Sequence, residues 1–417
     1  MPWPHALRAF SRPAVRRFFA GQSISLLGSW MQPVALSWLA WRLAHSAALL
    51  GIVNFLGYAP ALVLAGAGGA VADRFPRKPV VMIGMGVAML HATILAALTF
   101  SGLMTPVLLA AAAVLIGTSS AFEIPSRQAL FADLAGEDTP NIVALNSTVV
   151  TVMRVLGPAV GGLVVASFGE AWCFVANALS FLAVLFALAT IQVPPRAREH
   201  DQAPTGGLRF AMNTPRVAGV LALLFFVALF GFPWATLMPV VAEVVLAGGP
   251  ELLGRLLACA GLGSLLGALT LLLRGEALDL RVGLGALCLG AGLAVLSLSH
   301  STLLSAGALV VIGFGQITLS TSTLTLMQVW APKALRGRLM GVFTAIFMGV
   351  PPFGALAIGA LAHRFDTQVT LRAQGVVVFV VGLVYLAALR ALRRTPLPLE
   401  VIAMEALEPR ESTGSEL

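Results

Sequence analysis

The 417 residues are 58% hydrophobic and only 11% charged, against roughly a quarter charged in a soluble domain. So few charges cannot cover a water-facing surface, so most of the surface of this chain faces lipid. The net charge of +8 is scattered over short loops and tails, which argues against nucleic acid as a partner.

A helix needs about 20 mostly apolar residues to cross about 30 Å of hydrocarbon. On that ruler the first half gives spans at 18–41, 47–72, 79–100, 106–123, 142–167 and 172–191. After a polar gap, six more follow at 217–245, 252–273, 281–299, 302–325, 338–361 and 373–391. The expected fold is an all-α membrane protein with twelve transmembrane helices in two pseudo-symmetric six-helix bundles. Residues 1–191 form the N-terminal bundle and 217–395 the C-terminal bundle. The connector, 192–216, carries Pro194, Pro195, Pro204, Gly206 and Gly207 among mixed charges, with room for one short amphipathic turn. The tail, 396–417, is rich in Pro, Glu and Ser and reads as disordered. The apolar run from Phe18 is full length without a plain cleavage site, so it reads as a retained first span.

Charge sets the orientation. With the N-terminus in the cytoplasm, 21 of the 26 basic residues fall on the inner side. Only Arg42, Arg255, Arg364 and Arg372 fall outside, and Arg154 lies within a span. This asymmetry places both termini in the cytoplasm; the basic residues also suit anionic lipid headgroups. Cys173, Cys259 and Cys288 lie in or beside apolar spans, at spacings that suit neither a metal site nor a disulfide framework. With no nucleotide-binding loop, no metal motif and no nucleophile–base set, neither a cofactor nor an enzyme is expected.

The halves echo each other. Gly157-Pro158-Ala159-Val160-Gly161-Gly162 in the fifth span has a counterpart in Pro351-Pro352-Phe353-Gly354 of the eleventh. The fourth runs through Ile116-Gly117 and leaves the membrane through Glu123 to Arg127; the tenth runs through Ile312-Gly313. Such repeats, with one in/out sense, imply an axis along the membrane normal.

The loop after the second span reads Gly69-Ala70-Val71-Ala72-Asp73-Arg74-Phe75-Pro76-Arg77-Lys78. It resembles the Gly-x-x-x-Asp-Arg-x-Gly-Arg-Arg/Lys loop of the major facilitator superfamily and departs from it at Pro76. Asp73 ends a helix, where the dipole disfavours an anion, so it needs a donor. The resemblance implies donors across the interface at the start of the eleventh helix, near Gly337 and Arg338; Arg127 is a second candidate. Gly69, Asp73, Arg74, Arg77, Lys78, Arg127 and Arg338 would then form a latch made only while the cytoplasmic side is closed. The plainer alternative is a positive-inside turn with an incidental acid.

Gly157, Pro158, Gly161 and Gly162 resemble the fifth-helix motif of the superfamily's antiporters, although ordinary small-residue packing explains the glycines equally well. Arg154 lies on one face with Ser147, Thr151 and Pro158. An arginine facing lipid at mid-bilayer costs at least about 2.5–3.5 kcal/mol, so it points inward. It serves as an anchor for an anionic or acceptor-rich substrate or pairs with a carboxylate; a structural arginine is the alternative. Gln22, Ser25, Ser29 and Gln32 make a polar stripe on the first span, with Trp30 nearby, and Trp234 and Gln316 come from the seventh and tenth. Together with Thr151 and Arg154 they are the candidate cavity lining. Glu123 is the first choice for proton coupling, ahead of Glu243 and His91.

Within the superfamily the chain resembles the enterobactin-exporter-like branch of transmembrane secretion effectors. That likeness rests on Gly21 to Gln32, Pro125-Ser126-Arg127-Gln128, Gly157-Pro158 and Leu335-Arg336-Gly337-Arg338-Leu339-Met340. It implies export of small amphiphilic molecules (siderophores, drugs or metabolites) by proton-coupled antiport in a bacterial cytoplasmic membrane. The partners expected are a small-molecule substrate, protons and membrane lipids, with the protein acting as a monomer. An importer or facilitator, a non-transporting sensor or assembly factor, and a lipid flippase remain as alternatives. If the latch reading holds, Asp73→Asn impairs transport while the protein still inserts; near-normal transport in an uptake or efflux assay would refute it.

Overall fold

The computed structural model describes residues 13–135, 139–191, 207–273, 277–332 and 335–394, and every regular element among them is helical. In the first half these are α1 (Pro13–Ala44), α2 (Ala47–Val63), α3 (Ala65–Arg74), α4 (Arg77–Phe100), α5 (Pro106–Ala135), α6 (Thr139–Phe168) and α7 (Glu170–Thr190). After α8 (Gly207–Asn213) and α9 (Pro215–Phe226), a 3₁₀ stretch and α10 (Met238–Val240) continue the seventh span between two π-turns. The chain ends with α11 (Pro250–Leu273), α12 (Leu278–Leu298), α13 (Thr302–Trp330), α14 (Arg336–Gly349), α15 (Pro351–Arg364) and α16 (Thr367–Arg394).

Ten spans among the described residues are long and apolar enough to cross a membrane, or eleven with α2 and the Gly66–Ala72 part of α3, which meet at 58°. The expected twelve is reached only by adding α1, which has 32 residues but carries Gln22, Ser25, Ser29 and Gln32. Side chains such as Leu303 and Leu272, 84% and 81% exposed, make an apolar exterior suited to lipid.

The sequence expectations differ from the structure in three places, each with a backbone cause. The eleventh span is two helices, because Pro351 and Pro352 lack N–H donors; α14 stops at Gly349, and α15 restarts with proline in its first turn. In the seventh span, Pro233 and Pro239 likewise remove donors, and the run passes through a π-turn at Val227–Gly231, a 3₁₀ turn at Phe232–Leu237 and a π-turn at Val241–Val245. The fourth stays helical to Ala135, past the exit expected at Glu123 to Arg127. Hydropathy reports where lipid ends, whereas the backbone ladder decides where a helix ends. Most of the expected connector, 192–206, and the whole expected tail, 396–417, lie outside the described residues; α8 supplies a short helix just before the seventh span.

Packing separates the helices into two groups. In the first, α1 lies against α6 and α7, α4 against α5 and α7, and α2 and α3 against α5. In the second, α13 packs on α11 and α12, and α16 on α12 and α9. Side-chain bonds tie helix ends within each group. Lys78 donates to Ile191 O at 2.7 Å and Arg393 to Asp279 at 2.7 Å on the end that carries the described termini. At the far end, Arg42 pairs with Glu170 at 2.7 Å.

The groups meet mainly through α6 against α11 and α2 against α15. Both crossings run backbone to backbone. A Cβ at Gly162 would stand 2.6 Å from Gly254 Cα, and one at Gly359 would stand 2.6 Å from Ala47 O and 2.9 Å from Gly51 Cα. All four glycines lie toward the far end. At the other end, Gly66 and Gly69 of α3 and Gly337 and Gly341 of α14 have nothing within 4 Å of the place a Cβ would take. Overpacking a seam of this kind costs about 1–3 kcal/mol. Gly162→Leu and Gly359→Leu therefore lower the thermal unfolding midpoint of the purified protein, whereas Gly307→Leu, with open space around it, leaves it unchanged; equal midpoints in all three would show that the seam tolerates side chains.

Candidate functional site

Close approach of α1 and α6 builds the central feature. A Cβ at Gly161 would lie 3.0 Å from Met31 Cα, and Gly157 faces Trp30 with no room for a side chain. That contact sets the Trp30 indole against Arg154, one turn before Gly157, with the guanidinium carbon 5.1 Å from the ring centroid. A cation over an indole face, away from water, gains about 2 kcal/mol. From the other bundle, Gly261 of α11 approaches the Arg154 carbonyl, 2.9 Å from its own Cβ position. Arg154 thus sits at the seam, as its sequence position demands. It is half-buried, and its Nε has no hydrogen-bond partner among the described residues. A guanidinium presents its N–H groups in its own plane, a fork that suits a planar acceptor.

The other cavity candidates divide. Trp234 donates to Gln316 Oε1 at 3.2 Å, so the structure joins these two. Thr151 Oγ1 turns back onto Ser147 O at 2.7 Å. Gln22 and Ser25 are 3% and 4% exposed, and Gln32 accepts from Asn177 Nδ2 at 2.5 Å. Much of the α1 stripe is therefore taken up in packing, Gln32 against α7; Ser29 is half-buried.

Residues that sequence reading passed over complete the seam. Phe55 meets Phe353 at 5.3 Å between centroids, and Gly349 faces Leu62. Gly51, Phe55, Tyr58 and Leu62 recur at helical spacing on the α2 face turned to α14 and α15. Yet Tyr58 is 58% exposed, so the bundles part beside it. Its rarity was the available signal, since the chain has only two tyrosines. Gln374 donates to Phe230 O at 2.9 Å, meeting a carbonyl in the irregular seventh span.

The latch candidates are held in several ways. The Asp73 side chain lies outside the described residues. Arg74 ends α3, and Arg338 stands in the first turn of α14. Arg77 Nη1 donates to Ala129 O at 3.3 Å and Lys78 Nζ to Ile191 O at 2.7 Å, both within the N-terminal bundle. Arg127, weighed as a partner for Asp73, lies 3.2 Å from Glu123 one turn away on α5. Glu123 also packs against Gly84 of α4. His91 is buried, 1% exposed. Glu243 accepts a hydrogen bond from Trp41 Nε1 across the seam.

Residues 5–402 match the family described as transmembrane secretion effector. The chain is 28% identical to the enterobactin exporter EntS of Escherichia coli over 412 residues, 93% of this chain and 94% of that one. It is 30% identical to the staphyloferrin A transporter of Staphylococcus aureus over 262 residues, 61% of this chain and 66% of that protein, just under two thirds of its length. Among solved structures, the nucleoside transporter NupG superposes with a TM-score of 0.73 at 15% identity, covering 89% of this chain and 98% of its own. An inward-facing, unoccupied bacterial homologue of the lysosomal transporter Spinster superposes with a TM-score of 0.71 at 14% identity, over 92% and 98%. At such identities these two show the shared fold. The chain belongs to the transmembrane secretion effector family of the major facilitator superfamily and is a membrane transporter, not an enzyme.

Proposed function

We propose that this protein exports a small acidic or acceptor-rich amphiphile, such as a siderophore, by alternating access coupled to proton exchange. The observation that carries the reading is Arg154, held over the Trp30 ring at the seam of the two bundles with no partner for its Nε among the described residues. A cation kept at such a place is costly unless it serves a ligand or a path. Its donors suit carboxylate or catecholate oxygens, and the Trp30 and Tyr58 rings suit an aromatic body.

The distribution of seam contacts supports the cycle. Backbone crossings at Gly162–Gly254 and Gly51–Gly359 gather at the far end, while Gly66 and Gly69 of α3 and Gly337 and Gly341 of α14, at the other end, have open space where a Cβ would stand. In this reading the far end is closed and the cytoplasmic side receives cargo. The bundles of 1–191 and 217–395 rock as units, with Asp73 and its neighbours forming the latch when the cytoplasmic side shuts. The names of the relatives, an enterobactin exporter and a staphyloferrin A transporter, favour a siderophore-like cargo. The protein works as a monomer in a bacterial cytoplasmic membrane with both termini inside.

Efflux from preloaded cells tests the function, using a catecholate siderophore, a cationic dye and a lysolipid, each with and without a protonophore. Catecholate efflux is expected to be fast and protonophore-sensitive, and Arg154→Ala weakens it. Losing a hydrogen bond to a charged group costs about 1.5–3 kcal/mol, so roughly tenfold or more in affinity is expected. Preferential lysolipid movement would replace this reading with a flippase. For orientation, alkaline phosphatase fused after Ser101 is expected to be active and after Arg394 inactive; the reverse pattern would invert the topology.

A further inference from the structure

Six carboxylates have described side chains: Glu123, Glu170, Glu243, Glu251, Asp279 and Asp366. Five hold partners within their own bundle. Glu123 has Arg127, Glu170 has Arg42, Glu251 has Arg255 and Asp279 has Arg393. Asp366 accepts the backbone N–H groups of Gln368 and Val369 at the start of α16. Such partners travel with the carboxylate, so rocking of the bundles leaves these bonds in place.

Glu243 differs in both partner and place. Its hydrogen bond comes from a neutral donor, Trp41 Nε1, on the opposite bundle. It lies in the π-turn Val241–Val245 at the far end, where the glycine crossings are tight. π-turns inside helices recur at functional sites. The ionisable groups around it are already engaged. On α11, Glu251 and Arg255 pair with each other. On α1, Arg42 pairs with Glu170, and the His45 ring stands edge-on to the Trp41 indole at 5.3 Å. The short α10, Met238–Val240, carries no charge.

The geometry points to Glu243 as a far-side proton-binding site that, with Trp41, locks the outer gate. The inference rests on the proton-coupled alternating-access reading and adds the residue that senses the far side. While Glu243 is ionised, the indole N–H donates to a charged acceptor, a bond roughly twice as strong as a neutral one. A proton from far-side water bonds to a carboxylate oxygen and cancels that charge. The contact weakens, and the bundles separate at this end. Among the described residues no partner on its own bundle replaces Trp41, so parting of the bundles and loss of the bond are one event.

Nitroxide labels at Ser101→Cys and Val369→Cys, on opposite bundles at the far end, read the gate in lipid nanodiscs. The background lacks Cys173, Cys259 and Cys288, and distances are recorded from acidic to alkaline pH. Acidification is expected to enlarge the long-distance population of the wild type, and Glu243→Gln to remove the pH response. Trp41→Phe keeps the ring but not the donor, and is expected to enlarge that population severalfold at alkaline pH. A pH response that survives in Glu243→Gln overturns the assignment while leaving proton coupling intact. A wild type that does not respond to pH overturns both.

Discussion

In lipid, no hydrophobic force presses one helix against another, because the acyl chains are as apolar as the side chains. The association of the two bundles therefore depends on how closely their backbones can approach. Gly162 against Gly254 and Gly51 against Gly359 supply that approach, with atoms of one bundle where the other's Cβ atoms would stand. Dispersion falls steeply with distance, so a seam with no side chains between its backbones gains where a leucine-lined one would not. The crossings sit toward one end.

The same close approach positions the charge. Gly157 and Gly161 draw α6 onto α1, and this lays Trp30 over Arg154. The motif that resembles an antiporter signature is a packing device in this structure. Gly162 turns the next face of α6 to the other bundle. A single helix thereby carries an intra-bundle contact, an inter-bundle contact and the arginine between them.

Charge placement elsewhere separates ties within a bundle from a tie between bundles. Arg42–Glu170 and Asp279–Arg393 fasten helix ends within a bundle. Lys78 and Arg77 reach carbonyls of the N-terminal bundle, Lys78 at the C-terminal end of α7, where cations complement the helix dipole. Only Trp41–Glu243, among the hydrogen bonds described here for carboxylates, joins elements of different bundles. Bonds of the first kind make each bundle a unit, and a bond of the second kind resists their separation.

Much of this was legible in the amino-acid order. Lipid demands long apolar helices with internally satisfied backbones, so composition and run length determined the class, the spans and the inward placement of Arg154. Local motifs marked the loop at Gly69 to Lys78 and the glycines of α6. Partnership across the chain was not legible. Gln32 with Asn177, Trp41 with Glu243 and the opening beside Tyr58 join positions far apart in sequence, and periodicity along one helix cannot say which neighbour a face meets. The α1 stripe shows the limit, since a polar face suits a cavity wall and a buried contact alike. The sequence by itself determined which residues had to avoid lipid; the tertiary structure decided what each met instead, because helix rotation and crossing are set by backbone approach at the glycines of both bundles.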